Sequence, residues 1–116
     1  MLNEIINAKI QELFDAMTID YVMWLARTPY EVTEQKMLDF DKYSFDVGSS
    51  YIKLWHHDAN HVSKSCIGFI VISTTDKKFA FGDMLKAAGH KAPAKNFARG
   101  NILTSDLSLV RWTGIS

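Results

Sequence analysis

The chain has 116 residues, of which 47% are hydrophobic and 22% charged, and its formal net charge at pH 7 is zero. This composition excludes a disordered chain, and the length fits one globular domain spanning residues 1–116. The N-terminus carries no secretory leader pattern, and no apolar run approaches the roughly 20 residues that a membrane span needs, so we expect a cytosolic protein without a membrane partner.

The first 47 residues are predicted to be helical and to serve in packing or oligomerisation. Apolar residues recur every three or four positions from Leu2 to about Ala26, which predicts one long amphipathic helix. Thr28-Pro29-Tyr30-Glu31 combines a capping residue, a proline at the first helical position and a capping-box glutamate, and predicts a second helix from Pro29 to about Tyr43. Part of the first helix has apolar residues at coiled-coil spacing, namely Ile6, Ile10, Leu13 and Met17. We therefore expect this helix to pack along a partner, either within the fold or across a dimer.

After Ser50 the hydrophobic period changes to two, which predicts strands at Tyr51–His57 and Lys64–Ser73. The second strand holds the single cysteine, Cys66, in an apolar run typical of a buried, inert thiol. One cysteine excludes an intrachain disulfide and a C-x-x-C motif. A turn at residues 74–78 and an extended stretch to Phe81 follow.

The last third of the chain is predicted to close the sheet. Asp83 is placed to cap a short helix, Met84–Ala88, which Gly89 ends. Two closing strands are predicted at Asn101–Thr104 and Leu107–Thr113. The elements together predict an α+β fold: two N-terminal helices followed by a small, mostly antiparallel sheet with one short inserted helix, so that residues 48–116 carry the sheet and the ligand-binding segment.

Charge is distributed unevenly between the two halves. Residues 1–47 hold nine acids and four bases, a balance of −5, whereas residues 48–116 hold four acids and nine bases, a balance of +5. This asymmetry indicates that the C-terminal half meets an anion, although attraction between the two halves explains it equally well. The span from Met84 to Ser105 lacks acids, and its basic and amide side chains are Lys86, His90, Lys91, Lys95, Asn96, Arg99 and Asn101.

Within this span, residues 92–101 alternate small residues with cations and amides. Small side chains and Gly100 let a ligand approach the backbone, arginine offers a planar fork for phosphate oxygens, and nearby phenylalanines could stack on a purine. A solvated basic loop over a phenylalanine core is the alternative interpretation. Neither G-x-x-x-x-G-K-[ST] nor G-x-G-x-x-G occurs.

Other chemistries are less well supported by the residues. The cluster His56-His57-Asp58-Ala59-Asn60-His61 has metal-ligand residue types, but adjacent strand residues point to opposite faces, so we expect a polar hairpin loop and no metal. No acid–base pair accompanies the basic span, and G-x-S-x-G is absent. We therefore expect a binding protein, not an enzyme, and no cofactor.

Three stretches carry a resemblance to a known family: Lys78–Gly89, Ala92–Ile102 and Val110–Gly114. With the preceding helix and strands, they resemble a group of small bacteriophage proteins, the anti-Thoeris proteins of the first type described, over nearly the whole chain and most specifically from Phe79 to Asn101. The resemblance implies a protein of the host cell cytoplasm that sequesters a cyclic ADP-ribose-type immune signal without cleaving it. It also implies dimers or higher homo-oligomers and, in some members, a separate site for cyclic oligonucleotides.

Seven side chains are then the candidate ligand contacts: Lys95, Asn96, Arg99, Asn101, Arg111, Phe81 and Arg27. Arg99 and Lys95 would clamp the diphosphate, and Phe81 would stack on adenine. Asn96 and Asn101 would bind the base edge or ribose hydroxyls.

Arg111 and Arg27 would close the site, in one arrangement from a neighbouring subunit. The alternative function is that of a small phage accessory protein which binds nucleic acid through its basic C-terminal half; its affinity would then fall steeply with salt.

Overall fold

The computed structural model describes residues 4–27, 43–57, 64–89, 92–104, 107–111 and 113–115. In these residues the fold is α+β, as predicted, with one α-helix, a four-stranded sheet and a separate two-stranded sheet. The elements are α1 (Glu4–Ala26), β1 (Tyr43–Val47), β2 (Tyr51–His57), β3 (Lys64–Val71), β4 (Met84–Leu85), a 3₁₀ helix (Ile102–Thr104), β5 (Val110–Arg111) and β6 (Gly114–Ile115).

The larger sheet has the strand order β1-β2-β3-β4, and every neighbouring pair is antiparallel. Strand β2 is central and matches the predicted bounds, and β3 confirms the second predicted strand, ending at Val71. A β-bulge lies between Leu54 and Trp55, so that Leu54 pairs with Gly68 and Trp55 with Cys66. The bulge bends this pair of strands and increases their twist.

Helix α1 confirms the first predicted helix and packs its apolar face on one side of the sheet. The four coiled-coil-spaced side chains are at most 1% exposed and share one core with sheet residues such as Ile52, Leu54 and Ile70. The predicted packing partner is thus within the fold. We call this face of the sheet the helix face. Among the described residues this core buries thirteen apolar side chains. Burial of each contributes roughly 1.5–3 kcal/mol.

Strand β1 was not predicted. The predicted second helix lies outside the described residues except at its end, where Tyr43 begins β1 instead of closing a helix. Tyr43 and Phe45 pack against the helix-face core, and the Tyr43 ring stacks on Phe14 with centroids 5.2 Å apart. Alternation in Tyr43–Val47, paired residue by residue with β2, fixes the strand.

The predicted short helix Met84–Ala88 is wrong, because Met84 and Leu85 form β4. Their backbone pairs with Ile70 and Phe69, and both side chains are fully buried, one on each face of the sheet. Two-sided burial and strand pairing outweigh the helix propensity of the sequence.

The two predicted closing strands are also corrected. Asn101 makes a single bridge to Asp83, and Ile102–Thr104 is a 3₁₀ helix. In place of one strand over Leu107–Thr113, the chain forms β5 and returns as β6 through a turn before Gly114. Side-chain hydrogen bonds of Asn101, described below, end the extended conformation.

Cys66 lies on the opposite face of the sheet and is half-buried, less so than expected. Burial raises the pKa of its thiol, an effect that exceeds the lowering by the Gly68 carbonyl hydrogen bond and by Lys53. The thiol is therefore protonated at neutral pH and a poor nucleophile. Among the described helices, none has the length and apolar character needed to cross a bilayer.

The turn after β3 is closed by Asp76. Its Oδ1 accepts hydrogen bonds from the backbone N–H groups of Phe79 (2.9 Å) and Lys78 (2.8 Å), which lower the pKa of the carboxyl. A carboxyl whose pKa is lowered by folding stabilises the fold above its unfolded pKa, about 3.9, and loses this contribution as the pH falls through the lowered value.

We therefore predict that the amide signals of Lys78 and Phe79 titrate below the pH at which a free aspartate does. The measurement is an acid titration of the wild type by heteronuclear NMR, and Asp76→Ala is the control that should abolish the transition. A midpoint at or above about 3.9 would contradict the assigned cause.

Candidate functional site

The face of the sheet opposite α1 carries aromatic rings and lysines side by side. In β2, residues alternate between the two faces: Ile52 and Leu54 enter the helix-face core, whereas Tyr51 packs against a second core with Phe69. Lys53 lies opposite Phe69 in the β2–β3 register. Since side chains alternate along a strand, Tyr51, Lys53 and Trp55 share this face. The Tyr51 ring is half-buried, whereas Trp55 and Phe69 are 9% and 3% exposed and lie beneath the lysines.

Three lysines place their ammonium groups over these rings. Lys53 Nζ is 4.7 Å from the centroid of Trp55 and 5.8 Å from that of Phe69. Lys64 Nζ is 4.3 Å from the Trp55 centroid, and Lys95 Nζ is 5.8 Å from the Tyr51 centroid. Cation–π attraction holds such lysines at the surface with their remaining N–H donors available to an anion. We call this set the ring–lysine surface: Tyr51, Lys53, Trp55, Lys64, Phe69 and Lys95.

A pocket of about 440 Å³, open to solvent, lies beside this surface. The turn between β1 and β2, Gly48-Ser49-Ser50, forms one wall, and Tyr51, Lys53 and Phe69 form another. This volume is within the range of about 300 to 1,000 Å³ that is usual for small-ligand sites. The residues that line it include two aromatic rings, a cation and serine hydroxyls.

Asp46 also lines the pocket, and its carboxylate is already engaged. Oδ2 accepts a hydrogen bond of 2.8 Å from Trp55 Nε1 and lies 4.0 Å from Lys64 Nζ. These contacts orient the Trp55 indole under the lysines. The carboxylate retains lone pairs that could accept hydrogen bonds from ribose hydroxyls.

Asn96 and Arg99, two of the predicted ligand contacts, are brought together by the segment 92–101, which runs along β4. Met84 N donates to Gly100 O (2.9 Å), Arg99 N to Met84 O (2.8 Å) and Ala94 N to Lys86 O (2.7 Å). The Arg99 side chain is 7% exposed, and its Nη1 donates to Asn96 Oδ1 at 2.8 Å. Lys95, from the same segment, reaches the ring–lysine surface.

Asn101 is held by bonds within the fold. Its Nδ2 donates to Phe81 O (3.1 Å) and Asp83 Oδ1 (2.9 Å), and its Oδ1 accepts from Leu103 N (2.8 Å). Phe81 packs against the helix-face core, so its ring is partly buried there. To contact a ligand, Asn101 would have to release bonds that define the local chain path.

We predict that Asn101→Ala lowers the free energy of unfolding by about 1 to 2 kcal/mol, because half-buried partners lose their bonds. Urea unfolding followed by circular dichroism measures this. Asn7→Ala, which removes an exposed amide on α1, is the matched control. Equal stability of the Asn101 variant and the wild type would contradict the role in folding.

Arg27 and Arg111 are exposed and bonded locally. Arg27, at the end of α1, donates from Nε to Met23 O at 3.2 Å. Arg111, on β5, donates from Nη1 to Ser108 O and Val110 O, each at 2.9 Å. Within the described ranges, no hydrogen bond or ion pair joins either arginine to the segment 92–101.

The sequence prediction omitted most of the ring–lysine surface and the pocket. Of the six surface residues it named only Lys95 as a ligand contact. The signal was present in the alternation Tyr51-Ile52-Lys53-Leu54-Trp55, which places an aromatic, a cation and an aromatic on one face. The partners Phe69 and Lys64 could be added only with the β2–β3 register.

The histidine cluster is only partly within the described residues. His57 Nε2 lies 2.6 Å from Ser44 Oγ across the β1–β2 pair. Among the described residues, no three His, Cys, Asp or Glu side chains are grouped as metal ligands would be. Residues 58–63, which include most of the predicted loop, lie outside the described ranges.

Comparison with known proteins assigns the chain to a family. The model of a family of unknown function, DUF7717, matches residues 2–114, and the protein belongs to this family. No curated protein and no solved structure matches the chain.

Proposed function

We propose that this protein binds a nucleotide-type signalling molecule of the cyclic ADP-ribose class and sequesters it without cleaving it. The observation that supports the proposal is the ring–lysine surface beside an open pocket of about 440 Å³. A nucleotide combines a flat aromatic base with phosphates, and aromatic rings next to cations complement these two parts. The resemblance to phage anti-Thoeris proteins favours the same ligand class.

The lining residues suggest how the ligand would be held. The base would stack against Tyr51, whose ring meets Phe69 edge-on at 5.8 Å. Phosphate oxygens would accept from Lys53 Nζ and from Ser49 and Ser50 on the β1–β2 turn. Ribose hydroxyls would donate to Asp46. Each of these contacts would hold the ligand intact.

Lys95 connects this pocket to the predicted ligand segment. Its ammonium lies over Tyr51, a pocket residue, while Asn96 and Arg99 follow it in the chain. The other predicted residues remain proposed ligand contacts, and we expect each to contribute less to the affinity than the ring–lysine surface does: Asn96, Arg99, Asn101, Arg111, Phe81 and Arg27. The ring–lysine surface is the primary site.

The test is capture followed by release. Protein is incubated with a cyclic ADP-ribose isomer, separated from free ligand by gel filtration and denatured by heat, and the released material is identified by mass spectrometry. We expect intact ligand in stoichiometric amount. Release of linear ADP-ribose would show an enzyme, and absence of ligand in the protein fraction would refute the proposal.

Nucleic-acid binding is the second candidate, and a specific observation favours it. Lys53, Lys64 and Lys95 are distributed along one face of the sheet beside the half-buried Tyr51 ring, and single strands use such cations for backbone contacts and a neighbouring ring for stacking. A labelled single strand of about 12 nucleotides at several salt concentrations tests it. Tight binding with a steep salt slope, together with no capture of cyclic ADP-ribose, would favour this function over sequestration.

Assembly and location are part of the same proposal. Helix α1 exposes Ile5 (62%), Ile19 (60%) and Met23 (56%) on the side away from its buried stripe, which supports a homodimer or higher oligomer. Light scattering after gel filtration measures the mass directly. The host cell cytoplasm is the proposed location, where the immune signal would be met.

A further inference from the structure

Arg99 carries a buried guanidinium whose donors are only partly used. Nη1 donates to Asn96 Oδ1 (2.8 Å) and Phe97 O (2.7 Å), both neutral acceptors. Nε is buried and has no hydrogen-bond partner. Within the described part of the chain, no carboxylate lies within ion-pair distance of Arg99; the ion pairs there are Lys9–Glu12 and Lys64–Asp46.

This state is unfavourable in the free protein. A buried N–H without an acceptor costs about 1 to 3 kcal/mol, and more when the group is charged. Such groups are uncommon in folded proteins. An anion supplied from outside would remove the cost.

The unused donors define which anion fits. Because Nη1 is committed to the chain, the unsatisfied edge of the guanidinium is the Nε–Nη2 edge, and no hydrogen bond engages Nη2 in the described residues. Nε–H and one Nη2–H are parallel, which matches two oxygens of one phosphate or carboxylate. Lysine cannot present this geometry.

Phe97 covers the guanidinium. Its ring centroid is 3.9 Å from Arg99 Cζ, although the phenylalanine itself is 53% exposed. A stacked ring excludes water from one side of the charge, and an oxyanion at the free edge would be held more strongly in this lower dielectric.

We propose that the Nε–Nη2 edge of Arg99 is an oxyanion position that binds one phosphate group side-on. The inference deepens the proposed function and rests on it for the nucleotide nature of the natural ligand. The oxyanion position itself rests only on the unsatisfied edge of Arg99. In this proposal Nε and Nη2 of Arg99 make a bidentate contact with the phosphate, while Nη1 keeps its hydrogen bonds to Asn96 and Phe97.

The experiment uses the whole protein and sodium pyrophosphate as the probe. The chain has three arginines, Arg27, Arg99 and Arg111, so the arginine Nε–H region of a ¹H–¹⁵N spectrum holds three signals. We expect pyrophosphate to shift the Arg99 signal saturably and to slow its exchange with water, with a larger shift than at the exposed Arg27 and Arg111. An unmoved Arg99 signal, or an equal drift of all three, would overturn the proposal.

A variant pair provides the second measurement. Arg99→Lys keeps the charge but loses the fork, and we expect pyrophosphate affinity to fall about ten- to hundredfold, as for loss of a charged hydrogen bond. Lys86→Arg, at an exposed lysine outside the proposed contacts, is the charge-retaining control with unchanged affinity, and dispersed amide spectra verify folding of both variants. Equal affinity of both variants would overturn the proposal. A shifted Arg99 signal without any capture of cyclic ADP-ribose would refute the proposed function and leave the oxyanion position supported.

Discussion

Gly114→Ala is expected to lower the free energy of unfolding by about 2 to 4 kcal/mol, a large share of the roughly 5–15 kcal/mol typical of small domains. Gly114 has φ +132, a conformation that L side chains rarely adopt. A Cβ there would lie 2.7 Å from Ile67 O and 3.0 Å from Ile67 Cβ, and the first of these is a backbone atom that cannot rotate away. The strain and the clash therefore add.

The same region explains why the clash cannot be relieved cheaply. Strand β6 approaches β3 so closely that a Cβ on Gly68 would lie 2.6 Å from Ile115 Cδ1. Ile115 and Ile67 both belong to the helix-face core. Moving β6 outward would open a void there, and interior packing tolerates little loss of contact.

Gly89→Ala is the matched control, because a Cβ added there would have no atom within 4 Å and the φ of Gly89 is not in the left-handed region. We expect this variant to stay within about 0.5 kcal/mol of the wild type. Urea unfolding at a fixed temperature measures both variants. Equal midpoints for Gly114→Ala and Gly89→Ala would contradict the close approach of β6 to β3.

Lys53→Gln is expected to weaken binding of a cyclic ADP-ribose isomer about ten- to hundredfold, the loss of one charge-assisted hydrogen bond of roughly 1.5 to 3 kcal/mol. Lys53 lines the pocket and also lies over two rings of the ring–lysine surface. Glutamine retains two of the four methylenes of the lysine stem, so packing against Trp55 is partly preserved. Calorimetric titration measures the affinity.

Lys86→Gln is the control for net charge. Lys86 is exposed, belongs to the basic span and does not line the pocket. If binding depended on overall positive charge alone, both variants would lose affinity equally, and raising the salt concentration would abolish the difference from wild type. We expect the Lys86 variant to bind as the wild type does.

The sequence predicted the elements whose pattern is local and strong. Helix α1 repeats its apolar residues over about six turns, and β2 alternates from its first residue, so each could be placed from its own residues. Strand β4 could not, because Met84-Leu85-Lys86-Ala87-Ala88 has good helix formers and becomes a strand only through pairing with β3. Gly114 could not be interpreted either, since its φ depends on the β5–β6 return.

In the candidate site, too, local patterns could be predicted from the sequence, whereas features that depend on tertiary contacts could not. The acid-free span and its cations were visible in the sequence, and the structure does join Asn96 to Arg99 and places Lys95 over Tyr51. The contribution of Lys53, Lys64 and Trp55 depends on strand register and on a bulge between Leu54 and Trp55. The sequence cannot predict which N–H donors of Arg99 lack an acceptor, because this depends on individual atomic contacts in the fold.

The most direct test of the central claim is an amide and side-chain NMR titration of the whole protein with a cyclic ADP-ribose isomer. We predict saturable shifts at Ser49, Tyr51, Lys53 and Phe69 and at the Trp55 indole, with α1 signals unmoved. Shifts confined to α1 or to the β5–β6 hairpin, or an unchanged spectrum at millimolar ligand, would contradict a nucleotide site on the ring–lysine surface.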